Sequence, residues 1–235
     1  SNGSITSTVQ ANTTAGFSII SYTGNGTNGA TIGHGLNAIP EIFIPKCRST
    51  GTNWEMYYFP TGGTKQYAYL NLTNQFNTWS YTAPTSTTIG LSGSGDSNGN
   101  GRTMIGYAFH SVQGYSRIAT YSGNGNVDGP FIYTGFKPAW FIIKRMDNAG
   151  NWTVFNNKSS SSNGSNLMDY SNDINANNAQ ETGGTGSVND VDFLSNGIKI
   201  RSTNGDINAD GNSVLYMAFA QNPFTTSDGV PTTAR

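Results

Sequence analysis

The sequence contains a single cysteine, Cys47, so no disulfide can form within the chain. This excludes the small secreted folds that depend on several disulfides. Charged residues are also scarce, at 11 % of the chain, against about 25 % in soluble domains in general. Lys and Arg number 12 and Asp and Glu number 13. The basic excess that binding to nucleic-acid phosphates requires is therefore missing.

Long apolar runs are absent as well, since none approaches the roughly 18 residues that cross a membrane as a helix. We therefore expect neither a nucleic-acid partner nor membrane insertion. Apolar residues still make up 35 % of the chain and aromatic residues 12 %, which is enough for a core. The polarity comes from Gly, Asn, Ser and Thr. This composition is typical of turn-rich, all-β structural or extracellular proteins.

An internal repeat is the strongest pattern in the sequence. Several phrases recur in the same order with single-residue slips, which makes chance a poor explanation. The recurring phrases are Tyr22-Thr23-Gly24-Asn25-Gly26 with Tyr121-Ser122-Gly123-Asn124-Gly125, Pro40-Glu41-Ile42-Phe43-Ile44 with Pro138-Ala139-Trp140-Phe141-Ile142, and Asn53-Trp54 with Asn151-Trp152. We predict one copy at 16–113 and a second at 114–225. Residues 1–15 then form a linker or the end of a preceding unit, and 226–235 a polar tail.

Each copy has the pattern of short strands separated by tight turns. Ile42-Phe43-Ile44 is an apolar run preceded by Pro40, as expected for a buried strand. Gly24-Asn25-Gly26 is a turn sequence, because Gly and Asn tolerate positive φ. No segment keeps a helical period for three turns. The sequence therefore predicts an all-β fold with two tandem antiparallel β-sandwich-like domains related by internal duplication.

Few residues in the sequence could support catalysis. His34 and His110 each lack a histidine at the matching position of the other copy, and both are interpreted as turn or surface residues. Cys47 lies beside an apolar strand, which favours a small buried residue over a nucleophile. Asp190 and Asp192 would share one face of a strand, as a glycosidase pair requires, but we favour solvated residues at a strand end. We therefore expect no enzyme activity.

A second candidate is a calcium loop. The segment from Asp206 to Gly211 reads D-x-N-x-D-G, as at the start of such a loop, and copy one has 96–101 at the matching place. The acidic ligand at position twelve is missing, because Met217 stands there. A hairpin turn without metal explains the same residues. We expect no cofactor, and the binding of calcium by Asp206 and Asp210 stays an open alternative.

The aromatic residues suggest where a receptor could bind. Trp54 and Trp152 occupy equivalent positions beside core strands, and Trp140 aligns with a core isoleucine, so all three are assigned to packing. Four aromatic residues in the divergent middle of copy one are instead the candidate receptor-facing set: Tyr67, Tyr69, Trp79 and Tyr81.

The paired phrases resemble a repeat domain of unknown function that occurs in tail-fibre and other virion structural proteins of tailed phages, especially marine ones. The resemblance covers nearly the whole chain. It is carried by 17–26 with 32–36, by Asp128-Gly129-Pro130-Phe131-Ile132-Tyr133 and the residues up to 139, by 192–204, and by 218–224. It implies a virion protein but supplies no catalytic residues. The opening residues resemble the link between two such repeats, so we expect a further segment before residue 1.

The leading hypothesis is a non-enzymatic structural and adhesive protein of a tailed phage, namely a tail-fibre or distal tail component that contacts the host surface. A head fibre or capsid-decorating protein is the alternative, and a carbohydrate-binding module of a bacterial surface protein is a further one. The expected partners are other virion proteins, further copies of the chain (most often as a trimer) and a host surface glycan. The expected location is the exposed surface of the particle.

Overall fold

The computed structural model describes residues 2–80, 82–157, 167–168, 170–173, 181–182 and 191–223. Their fold is all-β, which confirms the predicted class. The chain divides into two compact units. Unit 1 comprises Ser1–Asn71 and Phe76–Ser111, and unit 2 comprises Leu72–Gln75 and Val112–Arg235. Tyr81, Asp190 and the predicted tail at 226–235 lie outside the described residues.

Unit 1 contains two antiparallel sheets. Its strands are β1 (Ser7–Asn12), β2 (Phe17–Thr23), β3 (Thr31–Gly33), β4 (Ile42–Cys47), β5 (Glu55–Tyr58), β6 (Gln66–Tyr69), β7 (Asn77–Thr78), β8 (Thr88–Gly90) and β9 (Thr103–Phe109). The large sheet has the order β1-β2-β9-β4-β5-β6-β7, and β3 pairs with β8. Alternation places every second residue of β2 and β9 on the inner face, as the burial of Ile20, Met104 and Ala108 shows.

The core of unit 1 lies between its two sheets. Ile32 of β3 and Ile89 of β8 are fully buried, and they belong to one cluster with Phe43 and Tyr57 of the large sheet. Each such side chain contributes about 1.5–3 kcal/mol to folding when it is removed from water. Two facing sheets around one apolar core give the sandwich-like arrangement that the strand pattern predicts.

Residues 1–15 were predicted to form a linker or the end of a preceding unit, but strand β1 belongs to the large sheet of unit 1. Strand β1 pairs with β2 along its whole length, from Ser7 opposite Tyr22 to Asn12 opposite Phe17. Ile5 is 7 % exposed and belongs to the core of unit 1. Val9 of β1 packs against that core, whereas the other residues of the strand are polar or small and largely exposed, so the segment reads as a polar one in the sequence.

The described residues of unit 2 also form two antiparallel sheets. Its strands are β10 (Ser116–Ser122), β11 (Phe131–Tyr133), β12 (Pro138–Arg145), β13 (Trp152–Asn156), β14 (Leu167–Met168), β15 (Tyr170–Asp173), β16 (Glu181–Thr182), β17 (Val191–Leu194), β18 (Gly197–Ile200) and β19 (Ser213–Ala220). A single helical turn, α1 (Gly205–Asn208), precedes β19. The sheet orders are β10-β19-β12-β13-β15-β16 and β11-β18-β17-β14.

The core of unit 2 lies between these sheets. Phe141 and Phe155 stack with ring centroids 4.7 Å apart, and Phe193 packs on Phe141 at 5.4 Å from the second sheet. Ile198 and Ile200 of β18 complete the same cluster. The smaller sheet therefore has one face in the core, and its other face points away from it.

The central strands of the two large sheets have the same order relative to their positions along the chain. In unit 1 the last strand, β9, lies between β2 and β4, and in unit 2 the last strand, β19, lies between β10 and β12. Both arrangements continue through a hairpin, from β4 to β5 and from β12 to β13. The strands that the repeated phrases predict therefore occupy corresponding places in the two sheets.

Candidate functional site

The Gly24–Gly26 loop of unit 1 is held by one buried asparagine. Asn98 is fully buried, and its side-chain oxygen accepts a hydrogen bond from the Asn25 amide at 2.9 Å. Its side-chain NH₂ donates to Asn25 Oδ1 at 3.1 Å and to the Thr27 carbonyl at 2.9 Å. The Asn98 carbonyl also accepts from the Gly26 amide. The loop is thus fixed by four hydrogen bonds to one residue.

Unit 2 holds its equivalent loop through Asn208, which is also fully buried. Asn208 accepts from the Asn124 amide at 2.9 Å and donates to Asn124 Oδ1 at 3.1 Å and to the Asn126 carbonyl at 2.8 Å. Its carbonyl accepts from the Gly125 amide. A tyrosine hydroxyl supports each arrangement, since Tyr22 donates to the Ser97 carbonyl and Tyr121 to the Ile207 carbonyl, both at 2.5 Å.

Two glycines allow the backbones to approach this closely. A β-carbon on Gly24 would lie 2.4 Å from the Gly99 carbonyl oxygen, and one on Gly123 would lie 2.2 Å from the Ala209 carbonyl oxygen. Real β-carbons do not tolerate such distances, so both positions require glycine for space. The Gly-Asn-Gly phrases therefore mark a close approach of two backbone segments as well as a turn.

The calcium-like pattern is part of this loop-holding arrangement. Asn208 is the third residue of the pattern, and its side chain is buried within the unit. Its side-chain oxygen accepts a hydrogen bond from the Asn124 amide. Asp210 is exposed, whereas Asp206 is partly buried in the turn capped by Asn204. The alternating oxygens therefore do not converge on one point. Among the described residues, no three His, Cys, Asp or Glu side chains are grouped as metal ligands.

A lysine beside a tryptophan recurs in both units. Lys46 Nζ lies 5.6 Å from the ring centroid of Trp54, and Lys144 Nζ lies 5.9 Å from that of Trp152. Trp152 is 1 % exposed, as predicted for a core residue, but Trp54 is 39 % exposed. The assignment of Trp54 to packing was therefore wrong. Burial lowers the pKa of Lys144 to about 8. The charge of Asp206 opposes this shift, and the charge of Arg145 adds to it.

The predicted receptor-facing set is not one exposed surface. Trp79 is 2 % exposed and stacks on Tyr57 at 4.6 Å inside the core of unit 1, so its ring is closed to a receptor. It was placed on a recognition surface because it lies in the divergent middle of copy one, but it directly follows strand β7 and packs inward. Tyr67 and Tyr69 meet edge to face at 5.9 Å, but Tyr67 packs partly against the core. Tyr81 lies outside the described residues.

The two histidines have different environments. His34 was predicted at a turn or the surface, but it is fully buried. Its Nδ1 accepts from the Leu36 amide at 3.3 Å and its Nε2 lies 3.2 Å from the Thr85 carbonyl. Burial lowers the pKa of His34, so the ring is a neutral part of the core. His110 is partly exposed, with Nδ1 2.9 Å from the Ser111 carbonyl.

Cys47 is buried, as predicted, at 3 % exposure. Burial alone would raise the pKa of its thiol, but hydrogen bonds with Thr50 and Ser49 outweigh that effect and lower the pKa to about 7. The sulfur remains part of the core cluster of unit 1.

A cluster of hydroxyl groups surrounds a buried carboxyl in unit 1. Glu55 is 3 % exposed, and its Oε2 lies 3.2 Å from the Tyr57 hydroxyl and 3.4 Å from Ser94 Oγ. The Tyr57 hydroxyl also lies 2.7 Å from Ser97 Oγ and 3.2 Å from Ser92 Oγ. In unit 2 the register places threonine and phenylalanine at the positions of Glu55 and Tyr57, so this cluster distinguishes unit 1.

Burial is the main cause that raises the pKa of Glu55, from 4.5 to about 7. Hydrogen bonds from Ser97 and Tyr57 oppose this rise, and the nearby charge of Asp96 adds to it. The loop that carries the serines also lines an open depression of about 510 Å³, through Gly95 and Asp96. Sequence reasoning missed this cluster because its members lie far apart in the chain.

The outward face of the small sheet of unit 2 carries exposed aromatic rings. Phe131 is 45 % exposed and Tyr133 is 61 % exposed, whereas Ile132 between them is buried. Phe131 pairs with Lys199, which in turn pairs with Asp192 of the next strand. Directly opposite residues of an antiparallel pair share a face. We call the set Phe131, Tyr133, Lys199, Asp192, Arg201 and Asp128 the aromatic face.

The charges of the aromatic face are paired with one another. Asp128 Oδ1 lies 2.8 Å from Lys199 Nζ and 3.2 Å from Arg201 Nη1, and Arg201 Nε donates to Asp192 Oδ2 at 2.8 Å. The hydrogen bond and charge of Lys199, with the charge of Arg201, lower the pKa of Asp128. Asp192 was expected at a strand end beside Asp190, but it lies within β17 and binds Arg201.

Comparison with known proteins gives one match. A family model described as a domain of unknown function, DUF7483, matches residues 1–223. No curated protein matches the chain, and no solved structure does. No helix among the described residues is long and apolar enough to cross a membrane.

Proposed function

Because the chain belongs to the DUF7483 family of domains of unknown function, whose description names no activity, we propose a role from the residues and the fold. The protein is a non-enzymatic structural and adhesive component of the virion of a tailed phage. It forms part of a tail fibre or the distal tail and contacts the host surface. The phage assignment is supported by the resemblance of the paired phrases, and the structural role by the geometry of the loops.

The observation that carries the structural role is the repeated use of a buried asparagine to hold a surface loop. Asn98 and Asn208 each bond through both side-chain polar atoms to the backbone and side chains of the loop, and Asn208 also donates to the Ser202 carbonyl at 2.7 Å. A buried amide that is fully paired makes a loop rigid, because release of the loop would leave it without partners. A rigid loop on a β scaffold suits a protein that keeps its shape and presents a surface.

The two units are proposed to descend from one ancestral domain by duplication. The loop-holding asparagine, the supporting tyrosine and the close-approach glycine recur with the same bonding partners in both units. The lysine–tryptophan pair recurs as well. Tandem copies of one unit lengthen a protein while each copy still folds around its own core, which suits a fibre.

In this role the chain binds other virion proteins and further copies of itself, most often as a trimer, which also covers sheet edges. Its place is the exposed surface of the particle. Its low charge favours recognition of a host surface glycan through shape, hydrogen bonds and stacking over electrostatic steering. A head fibre or capsid-decorating protein has the same requirements and is the second candidate. A carbohydrate-binding module of a bacterial surface protein is the third.

Mass spectrometry of purified phage particles tests the proposal. Peptides of this chain should be found in the particles, and antibodies against the chain should label the tail in electron micrographs. Label on the capsid would favour the head-fibre alternative. Absence of the chain from intact particles would contradict the virion role, and release of oligosaccharides from host polysaccharide by the purified chain would contradict the non-enzymatic role.

A further inference from the structure

The aromatic face of unit 2 has features that its role in folding does not require. Side chains of β11, β17 and β18 that stabilise the core lie on the other face, where Ile132, Phe193 and Ile198 are buried. Phe131 and Tyr133 point away from that core and remain largely in water. Large aromatic rings exposed at neighbouring positions of one strand are unusual in the absence of a ligand or partner.

Glycine at position 197 gives the ring of Phe131 its support. A β-carbon on Gly197 would lie 2.8 Å from Cε2 and Cζ of Phe131, so the ring lies against the strand backbone where any other residue would have a side chain. Tyr133 lies opposite the same glycine in the register. Alternate residues of a strand lie about 7 Å apart. The two rings therefore lie on one face of the sheet, with the Phe131 ring against the backbone of Gly197 and both rings exposed on their outer side.

Charged groups of both signs border these rings. Lys199 and Arg201 supply N–H donors, and Asp128 and Asp192 supply carboxylate acceptors, with no net charge among the four. The Asp128 side chain is 75 % exposed and that of Arg201 is 43 % exposed, so both can bind further partners. Sugar hydroxyls both donate and accept hydrogen bonds, which matches a row of paired donors and acceptors. A strongly anionic ligand would meet the exposed carboxylate of Asp128.

We propose that the aromatic face binds a neutral oligosaccharide, with the apolar C–H face of one sugar ring stacked on Phe131 or Tyr133 and its hydroxyls bonded to Arg201 and Asp128. C–H groups carry slight positive charge, and the faces of aromatic rings are electron-rich, so the two surfaces attract. This site supplies the ligand of the adhesive role proposed above and rests on that role. It differs from the receptor-facing set predicted in unit 1.

The test is binding of the full chain to neutral sugars, measured by isothermal titration calorimetry and by NMR. The probes are linear oligosaccharides of glucose, galactose and mannose, and a heparin fragment is the anionic comparison. At least one neutral probe should bind and shift the resonances of Phe131 and Tyr133. The double variant Phe131→Ala with Tyr133→Ala should weaken that binding at least about tenfold. Tyr133→Phe keeps the ring and should bind much more tightly than the double variant.

Trp54→Ala is the matched control, because it removes an exposed aromatic ring from unit 1. Its affinity should stay within about twofold of the wild type. Circular dichroism confirms that each variant is folded. The inference is overturned if no neutral probe binds, if the double variant binds as well as the wild type, or if heparin is preferred. It is also overturned if the double variant changes the oligomeric state in light scattering without changing saccharide affinity, because the face is then a subunit contact.

The outcomes separate the two proposals. If the chain is found in phage particles and binds no saccharide, only the saccharide site fails. If the chain binds saccharide through Phe131 and Tyr133 but is absent from particles, the virion role fails and a carbohydrate-binding module is favoured.

Discussion

Replacement of Glu55 by glutamine should stabilise the protein at neutral pH and not at acidic pH. Glu55 is buried among hydroxyl groups in unit 1, and burial raises the pKa of its carboxyl from 4.5 to about 7. The neutral form is therefore favoured in the folded protein, whereas in the unfolded chain the carboxyl of Glu55 has the usual glutamate pKa of 4.5. A folded-state pKa above the unfolded value means that the folded state binds more protons between about pH 4.5 and about pH 7.

The sign and size of the effect follow from that difference. Stability falls as the pH rises through this window, and the loss is complete above about pH 7. A rise in pKa from 4.5 to about 7 corresponds to about 3 kcal/mol in the free energy of unfolding. Glutamine has nearly the same shape and stays neutral at every pH. The advantage of E55Q over the wild type should therefore grow by about 3 kcal/mol between about pH 4 and about pH 8.

Urea unfolding followed by NMR measures this difference, with amide signals of β5 and β9 reporting on unit 1 alone. Titratable groups that do not interact with Glu55 are present in both proteins and cancel in the difference. A direct titration of the Glu55 carboxyl carbon should give a midpoint near pH 7. If the difference in stability between E55Q and the wild type is the same at both pH values, the pKa of Glu55 is not raised by burial and the prediction is wrong.

Two further predictions concern the loop-holding contacts of unit 2. Asn208→Ala should lower the free energy of unfolding by about 2–4 kcal/mol in urea titrations, because several buried partners lose their hydrogen bonds. The control Asn126→Ala keeps the backbone carbonyl that Asn208 bonds to, so it should lower the free energy of unfolding by less than about 1 kcal/mol. Equal losses in the two variants would show that Asn208 does not hold the loop. In Gly211→Ala the new β-carbon would have no neighbour within 4 Å, and only the φ of +70° is unfavourable for alanine. We expect this variant to lose about 1–2 kcal/mol in the free energy of unfolding. Gly123→Ala should cost about 3 kcal/mol or more in the same assay, because its β-carbon meets the Ala209 carbonyl oxygen, and a smaller loss than in Gly211→Ala would contradict the close approach.

Local sequence patterns predicted the strands and the turns well where one face of a strand is buried. The strand Ile42–Cys47 was predicted from an apolar run preceded by proline, and the sharp loop at Gly24-Asn25-Gly26 from its glycines, of which Gly26 has a positive φ; both signals are local properties. The same patterns failed for Ser7–Asn12, in which Val9 packs against the core and the remaining residues are small or polar and largely exposed. A strand with so few apolar residues has a weak local signal, and its pairing with Phe17–Thr23 defines it.

The candidate sites were harder to predict than the fold. Phe131 and Tyr133 show a signal in the sequence, because two aromatic residues flank one isoleucine, but alternation does not say which face is buried. Trp79 shows the converse problem. It lies among polar residues in the sequence, yet the structure buries its ring between Tyr57 and Phe59. Burial is a property of the whole sheet packing and is therefore invisible in a short stretch of sequence.

Composition and spacing along the chain are enough to predict an all-β protein with little charge and with repeated turn phrases, because these are local properties of the sequence. The hold of Asn98 and Asn208 on the loops, the enclosure of Glu55 by hydroxyl groups and the exposure of the aromatic face arise only when the chain is folded. Each of these features joins residues that are distant in sequence. Their chemistry depends on which groups the packed sheets bring together and which they shield from water.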